Sequence, residues 1–380
     1  MIITLSQQKI EVIKMLCLSE EQSIIKGSIA EFTKRRIEPI EKRIEDDDYF
    51  PMDILREIGK NGFFSVMLPG IGVQDTYSFS LIAEEISKVS PEVAWLYVTH
   101  VAASYALDKL GTEEQKDSYL RKMADGEIIG TIAITESSSG ATASAIASSA
   151  RKYEENWILE GSKTFITMGG DADLYAVLAK THEDPAAFTT FIVLKSDVGL
   201  ELGTHLIGSA MKGIGWGEIS FNNLILEKHR ILGKENEGIK IIPTIARIFS
   251  IGAASISLGI MERALELVSS HVKERKIACK SLLSNQTVQD KLFHLYADTE
   301  AARSLVYRAS INDDIRLAYS AKLFSTERSI AVTESAVSLF GATGYEESLA
   351  IPKLLNKAIA VPLHFINNAI LTGLFITAID

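Results

Sequence analysis

Cysteine is nearly absent. Cys17 and Cys279 are the two in 380 residues, too few and too isolated for a disulfide framework or a metal site. A protein with reduced thiols in the cytoplasm is expected. Excess positive charge is also lacking: 39 Lys and Arg stand against 49 Asp and Glu, a net charge of −10 at pH 7. That balance argues against nucleic acid or an anionic membrane as the main partner. It leaves room for a local basic pocket that holds a phosphate-bearing ligand. No apolar run reads as long enough for a membrane span, and the opening MIITLSQQKIEVIKMLCLSEEQ, broken by Gln, Lys and Glu, is no secretory signal. Internal repeats and low-complexity tracts are missing too.

What is present is enough apolar material, 47% of the residues, to bury a large core in two or three domains. Residues 19–43 begin with Ser19 as an N-cap and acidic residues in the first turn. Ile24, Ile25, Ile29 and Phe32 follow at helical spacing, and Pro39 interrupts. The acidic cluster at 45–48 reads as a solvated helix–loop junction rather than a metal site. Helices are expected at 51–61, 78–90, 91–110 and 112–125, the last capped by Thr112. His100 lies on a wide apolar face, where a core histidine with its own hydrogen bond is the simplest reading. From Gly130 the period changes. AVLAK, FTTFIVLK, LELG, EISFNNLIL and HRILG are short β-branched or apolar runs, as in a small barrel or sandwich. From Ile241 helical spacing returns at 241–276, 285–311, 315–340 and 349–377, a four-helix bundle.

One stretch stands out: GTIAITESSSGA, a spacer, then WILEGSKTFITMGG, spanning 130–170. Ile132, Ile134 and Thr135 read as a strand that stops at small polar residues. Residues 157–159 and 164–167 read as two further strands, with Glu160, Gly161 and Ser162 as the turn between them. The loop of Ser137, Ser138, Ser139 and Gly140 either lets backbone N–H groups approach a ligand or is simply a turn.

The spacing of Thr135, Glu136, Gly140, Trp157, Gly161, Lys163, Phe165, Ile166, Thr167, Gly169 and Gly170 resembles the flavin-binding middle domain of acyl-CoA dehydrogenases. LFGATGY near the C-terminus, the Arg275 to Gln286 spacing and the overall length extend the likeness to nearly the whole chain. The resemblance implies an α+β fold: an N-terminal extension at 1–17, a helical domain at 18–129, a small β domain at 130–238 and a helical bundle at 239–380. It also implies FAD, with Ile132, Ile134, Thr135, Gly140, Phe165, Ile166 and Thr167 at the flavin. Thr135 is expected at the ring edge, Thr167 at the N5 region and Phe165 against the ring, where the family commonly has Trp. Arg275, Gln286 and Gly341 would serve the pyrophosphate and adenine across a subunit interface, in a homodimer or homotetramer or in an assembly mixed with a paralogue. Ser338, Ala342 and Ala141–Thr142 depart from the family's pattern at this cofactor.

The family removes an α proton with a carboxylate while flavin N5 takes the β hydride. Here the two positions where the family places its Glu are Phe365 and Phe249, and neither can abstract a proton. His364 is the candidate replacement, with a structural role as its alternative. Arg247 is a candidate for a phosphopantetheine or carboxylate group, with a surface salt bridge as its alternative. Three functions stay open: an acyl-CoA or acyl-carrier-protein thioester dehydrogenase, including one on a specialised substrate already activated at its α carbon; a base-less partner of an active paralogue; and a non-catalytic carrier- or protein-binding member of the fold. An oxygen-using flavin monooxygenase of the same fold is a further rival.

Overall fold

The computed structural model describes residues 18–140, 142, 145–182, 187–364 and 366–378. The proposed extension at 1–17 therefore lies outside them. Helices come first, then a sheet, then helices again, so the mixed α+β class expected from the sequence is what is found. The chain divides into two compact units, one of 1–39, 75–94 and 250–380, the other of 40–74 and 95–249.

Among the described residues the first unit is helical apart from a short hairpin of Lys276–Ile277 and Lys280–Ser281. Its opening helix, Glu20–Phe32, starts where the sequence places it, because the Ser19 side chain accepts from Gln22 N–H while the Gln22 side chain returns the bond. Every residue of Thr76–Ser87 is buried, as befits a helix apolar on most of its circumference. Its contact with Ile241–Glu274 is backbone-close: a Cβ on Gly259 would stand 2.6 Å from the Glu84 carbonyl oxygen. Gln286–Ile311 and Ile315–Phe340 follow as expected. The fourth helix does not run through. Ala350–Ala360 ends in a 3-10 turn at Val361–Leu363, and Asn368–Thr377 starts afresh, with the Asn367 side chain accepting from Ile370 N–H. Pro362 and the capping Asn367 supply the break.

This unit also buries charge. Glu84, fully buried, accepts from Tyr307 Oη at 3.0 Å and from Arg303 at 3.3 Å, with Lys26 at 3.7 Å. Glu262 pairs with Arg303 and with Lys88 at 2.8 Å, and Lys88 also holds Glu85 at 2.7 Å. Three carboxylates face three cations across four helices.

The second unit holds an eight-stranded sheet. In chain order the strands are β1 (Gly130–Ala133), β2 (Ser149–Tyr153), β3 (Asn156–Ile166), β4 (Leu174–Lys180), β5 (Phe188–Leu194), β6 (Leu200–His205), β7 (Gly217–Glu227) and β8 (Ile231–Leu232). Their spatial order is β6-β7-β3-β2-β4-β5-β8, with β1 parallel to β4. β4 and β5 are buried almost end to end, which is why they read as continuous apolar runs rather than alternating ones.

Two expectations need correction. Residues 157–166 lie in one strand, not two joined by a turn, because both halves keep their pairing with β7. Gly161, at φ +123°, sits where the register shifts, and a Cβ there would lie 2.6 Å from Ser148 Oγ. The turn-like residues mark a bulge. Two segments are also long and apolar enough to cross a membrane by length and composition, Gly238–Glu274 with mean hydropathy 1.6 and Ala350–Thr377 with 1.7. Of the first window 78% is buried inside the protein, as in a core helix; of the second, 29%. Scattered Lys, Arg and Glu hid that apolarity in the linear reading.

Asp48 is more than a solvated junction. In the αL conformation at φ 52°, it accepts from Gly213 N–H at 2.5 Å and meets His205 Nε2 at 2.6 Å. His100 is a core residue with its own hydrogen bonds: Gly130 N–H donates to Nδ1 at 3.0 Å, leaving Nε2–H for the Met123 carbonyl at 3.0 Å. Burial pushes its pKa down to about 4, so the ring is neutral.

Candidate functional site

The ends of β1 and β3 are tied by a buried ion pair. Lys163 Nζ donates to Glu136 Oε1 at 2.6 Å and to the Ile134 carbonyl at 3.1 Å, and Glu136 also accepts Ala147 N–H at 2.7 Å and Ser148 N–H at 3.0 Å. Burial alone would raise the Glu136 pKa. The bonds from Lys163, Ser148 and Ala147 outweigh it and hold the carboxyl below its ordinary value. Glu136 thus acts as a strut that fixes the loop after β1.

The Ser/Gly loop is correspondingly inward-turned. Ser139 N–H and Gly140 N–H donate to the Glu136 carbonyl and Thr142 N–H to that of Ser139, so these three donors serve the turn rather than a ligand. Ser137, Ser138 and Gly140 face outward, and a Cβ on Gly140 would meet open space.

Beyond Lys163 the strand is deliberately irregular. A second register shift between Lys163 and Ile166 places an extra residue in β3, and Phe165 sits there at φ +54°. Met168 follows at φ +58°. Left-handed conformations at bulky residues cost on the order of 1–3 kcal/mol each and gather at ligand clamps. Phe165 is nonetheless 58% exposed, with Trp216 edge-on at 6.0 Å. An apolar ring held out in a strained conformation is a platform for a flat partner.

Thr167 is two residues on. Thr131 Oγ donates to its carbonyl at 2.7 Å, and Trp95 Nε1–H donates to its hydroxyl oxygen at 3.2 Å. Thr135 accepts at its carbonyl from Thr164 N–H at 3.0 Å. Thr135, Phe165, Ile166 and Thr167 are therefore gathered at one corner of the sheet, with Ile132 and Ile134 half-buried on the strand and linker leading to it. Phe249, in the same unit, is buried against the Trp95 ring at 5.8 Å. Trp95 went unnoticed in the sequence, since a tryptophan on an apolar helix reads as core.

These residues suit a planar ring with hydrogen-bonding edges: an exposed aromatic face, two threonines at strand ends and a glycine without steric neighbours. The comparisons with known proteins agree. The chain matches the acyl-CoA dehydrogenase N-terminal domain over residues 19–127, the middle domain over 131–224 and the C-terminal domain over 236–362. The chain belongs to the acyl-CoA dehydrogenase family. It is 31% identical to an acyl-CoA dehydrogenase of Bacillus subtilis (strain 168), over 90% of this chain and 93% of that one. Identity is also 31% to a 3-(aryl)acrylate reductase of Clostridium sporogenes, over 91% and 95%. Among solved structures, butyryl-CoA dehydrogenase from Megasphaera elsdenii is similar with a TM-score of 0.92 and 26% identity, over 96% and 99% of the two chains.

The residues expected from the resemblance at the distal part of a cofactor, Arg275, Gln286 and Gly341, lie in the helical unit. Arg275 ends the Ile241–Glu274 helix, and a short hairpin brings Leu282 N–H back to its carbonyl at 2.8 Å. Gln286 opens the next helix and bonds Asp290 at 2.8 Å. Gly341, at φ +65°, closes Ile315–Phe340. A Phe340–His271 ring stack at 4.0 Å and a Lys291–Ser338 bond at 3.0 Å draw these helix ends together. Arg275, Gln286 and Gly341 are all exposed.

The candidate bases fare less well. Phe365 lies outside the described residues. His364 is buried, and burial followed by the Lys322 charge pushes its pKa down to about 3, which makes it a weak proton acceptor. Lys322, lowered to about 8 by burial, donates from Nζ to the Ile366 carbonyl. Arg247 is half-buried on the helix turn before Phe249.

Proposed function

We propose that the chain is an FAD-dependent oxidoreductase acting on an acyl thioester, carried on CoA or on an acyl carrier protein. The observation that carries this reading is the strained, exposed Phe165 beside Thr167. Membership of the family and the names of the B. subtilis and M. elsdenii relatives support it. When bound, FAD supplies a hydride acceptor. Thr135, Phe165 and Thr167 would hold its ring, with Ile132, Ile134, Gly140 and Ile166 beside them. Arg275, Gln286 and Gly341 hold the pyrophosphate and adenine of a second copy's cofactor. Arg247 takes a phosphate or carboxylate of the substrate.

The proton side is where this chain departs from its relatives. Phe249 has no proton-accepting group, and His364 is too weak a base to remove an ordinary α proton. The absence of a strong base at these positions fits a substrate already activated at its α carbon, such as a hydroxy- or aminoacyl thioester, whose oxidation relaxes the demand for one. Anaerobic mixing of the flavin-loaded protein with a panel of thioesters tests this. The activated acyl groups should bleach the flavin and saturated acyl-CoAs should not. Fast bleaching by butyryl-CoA refutes the substrate class, and no bleaching by any thioester refutes the activity. A phenylalanine packed on Trp95 where the family places a carboxylate favours one second reading, a base-less partner of an active paralogue. Co-purification with a second dehydrogenase-like subunit would identify it.

A further inference from the structure

Trp216 is the last residue of the loop between β6 and β7, and that loop is tied along its length. Its Ile214 and Gly215 carbonyls accept Met168 N–H at 3.0 Å and Gly169 N–H at 2.9 Å, the two residues that follow Thr167. The Trp216 carbonyl accepts Leu206 N–H at 2.7 Å, which closes the base of the loop. Asp48 takes Gly213 N–H at 2.5 Å. Glycine is needed at 213 and 215, where φ is +69° and +61°. A Cβ there would stand 2.5 Å from the Tyr49 carbonyl oxygen and 2.5 Å from Asp171 Oδ2, respectively. The loop also folds onto the indole, since a Cβ on Gly208 would lie 3.0 Å from Trp216 Cζ3. Against this half-buried indole stands Phe165, with ring centroids 6.0 Å apart and planes at 81°. Phe165 is 58% exposed. An exposed phenyl ring with no such contact exchanges between rotamers, and fixing it when a ligand binds costs side-chain entropy. An edge-to-face contact from a tied loop removes that freedom in advance.

We infer that Trp216 is a positioning residue that sets the Phe165 ring in place before a flat ligand ring arrives. This rests on the reading above that Phe165 helps to hold the isoalloxazine of FAD. The indole acts through the phenyl ring, because that ring is what it touches edge-on. Its contribution to binding is therefore expressed only while Phe165 is present.

The test is FAD titration of the flavin-stripped protein for Trp216→Leu, Trp216→Phe, Phe165→Gly and the Trp216→Leu/Phe165→Gly double variant. The visible circular dichroism of the bound flavin, a signal of ring placement that a general loss of stability does not move, is read alongside. Trp216→Leu keeps apolar bulk and deletes the aromatic edge. It should weaken FAD binding about fivefold, the scale of an edge-to-face ring contact, and alter the flavin dichroism. Trp216→Phe restores an aromatic edge and should bind within about twofold of wild type. In the Phe165→Gly background Trp216→Leu should cost nothing more, because the two rings act as one unit. Unchanged affinity in Trp216→Leu, a loss without a change in dichroism, or a loss of equal size with glycine at 165 overturns the inference and leaves flavin binding standing. If Trp216→Leu does not fold, Gly208→Ala decides, since its Cβ presses on the indole. Affinity should then fall with Phe165 present and not with Phe165→Gly, and an unchanged affinity overturns the inference. A wild-type protein that takes up no FAD at all refutes the underlying reading and the inference with it.

Discussion

Replacing Arg303 by methionine isolates the energetics of the buried charge network. Arg303 reaches Glu84 at 3.3 Å and also pairs with Glu262. Glu84 has no side-chain exposure and Glu262 14%, while Arg303 itself is 25% exposed. Removing one partner of a buried pair typically costs about 3–5 kcal/mol because the other charge is left uncompensated. The partial exposure of Arg303 puts this case near the lower end. Glu84 makes the loss pH-dependent. Burial first, and the Glu262 charge second, already raise its pKa from 4.5 to about 7, against the pull of Lys26, Lys88 and Arg303. Without Arg303 that pull weakens and the pKa climbs further, so protonation relieves the variant at mildly acid pH. Urea unfolding should therefore show Arg303→Met losing roughly 3 kcal/mol near pH 8.5 and distinctly less near pH 5.5. Adding Glu84→Gln should recover part of the loss at the higher pH. A deficit that is equal at both pH values, or a double variant no better than the single one, refutes this account of the network.

Three further outcomes are expected. Phe165→Gly removes left-handed strain and an exposed ring, so thermal stability of the flavin-free protein should hold or rise by about 1 kcal/mol while FAD affinity falls; a variant that loses stability contradicts the platform role. Gly161→Ala sets a Cβ 2.6 Å from Ser148 Oγ at φ +123°, so it should lower the unfolding midpoint sharply, and Gly140→Ala, which meets nothing within 4 Å, by much less. His100 has its folded pKa lowered to about 4 from an ordinary 6.5, so the unfolded chain binds the proton first as pH falls. Stability should drop between about pH 6.5 and 4, by roughly 3 kcal/mol in full, with the buried His364 acting in the same direction; an imidazole NMR titration of His100 near 6.5 would contradict this.

The sequence carried the architecture well because it is written in local signals. Ser19 and Thr112 cap helices with reciprocal Gln bonds, and the strands β4 to β8 fall on the β-branched runs. It misled where a local signal has a tertiary resolution. Glu160-Gly161-Ser162 has turn chemistry but lies within one strand, since β7 continues alongside. Ala350–Thr377 keeps a helical period through a break that Pro362 and Asn367 impose. At the candidate site, spacing singled out Thr135, Phe165 and Thr167, which the structure gathers at one corner of the sheet. Trp95 was not, because its role is a single hydrogen bond across 72 residues of sequence. The low basicity of His364 was equally hidden, as it comes from burial and the Lys322 charge rather than from any neighbour in the chain.

Titration of the flavin-stripped protein with FAD, followed by the visible absorbance of the bound ring, bears most directly on the claim that the β1–β3 corner holds an isoalloxazine. One FAD per chain should bind saturably, with the Phe165→Gly and Thr167→Val variants binding more weakly than wild type. A chain that stays colourless at saturating FAD, or binds it equally well without Phe165 and the Thr167 hydroxyl, would contradict it.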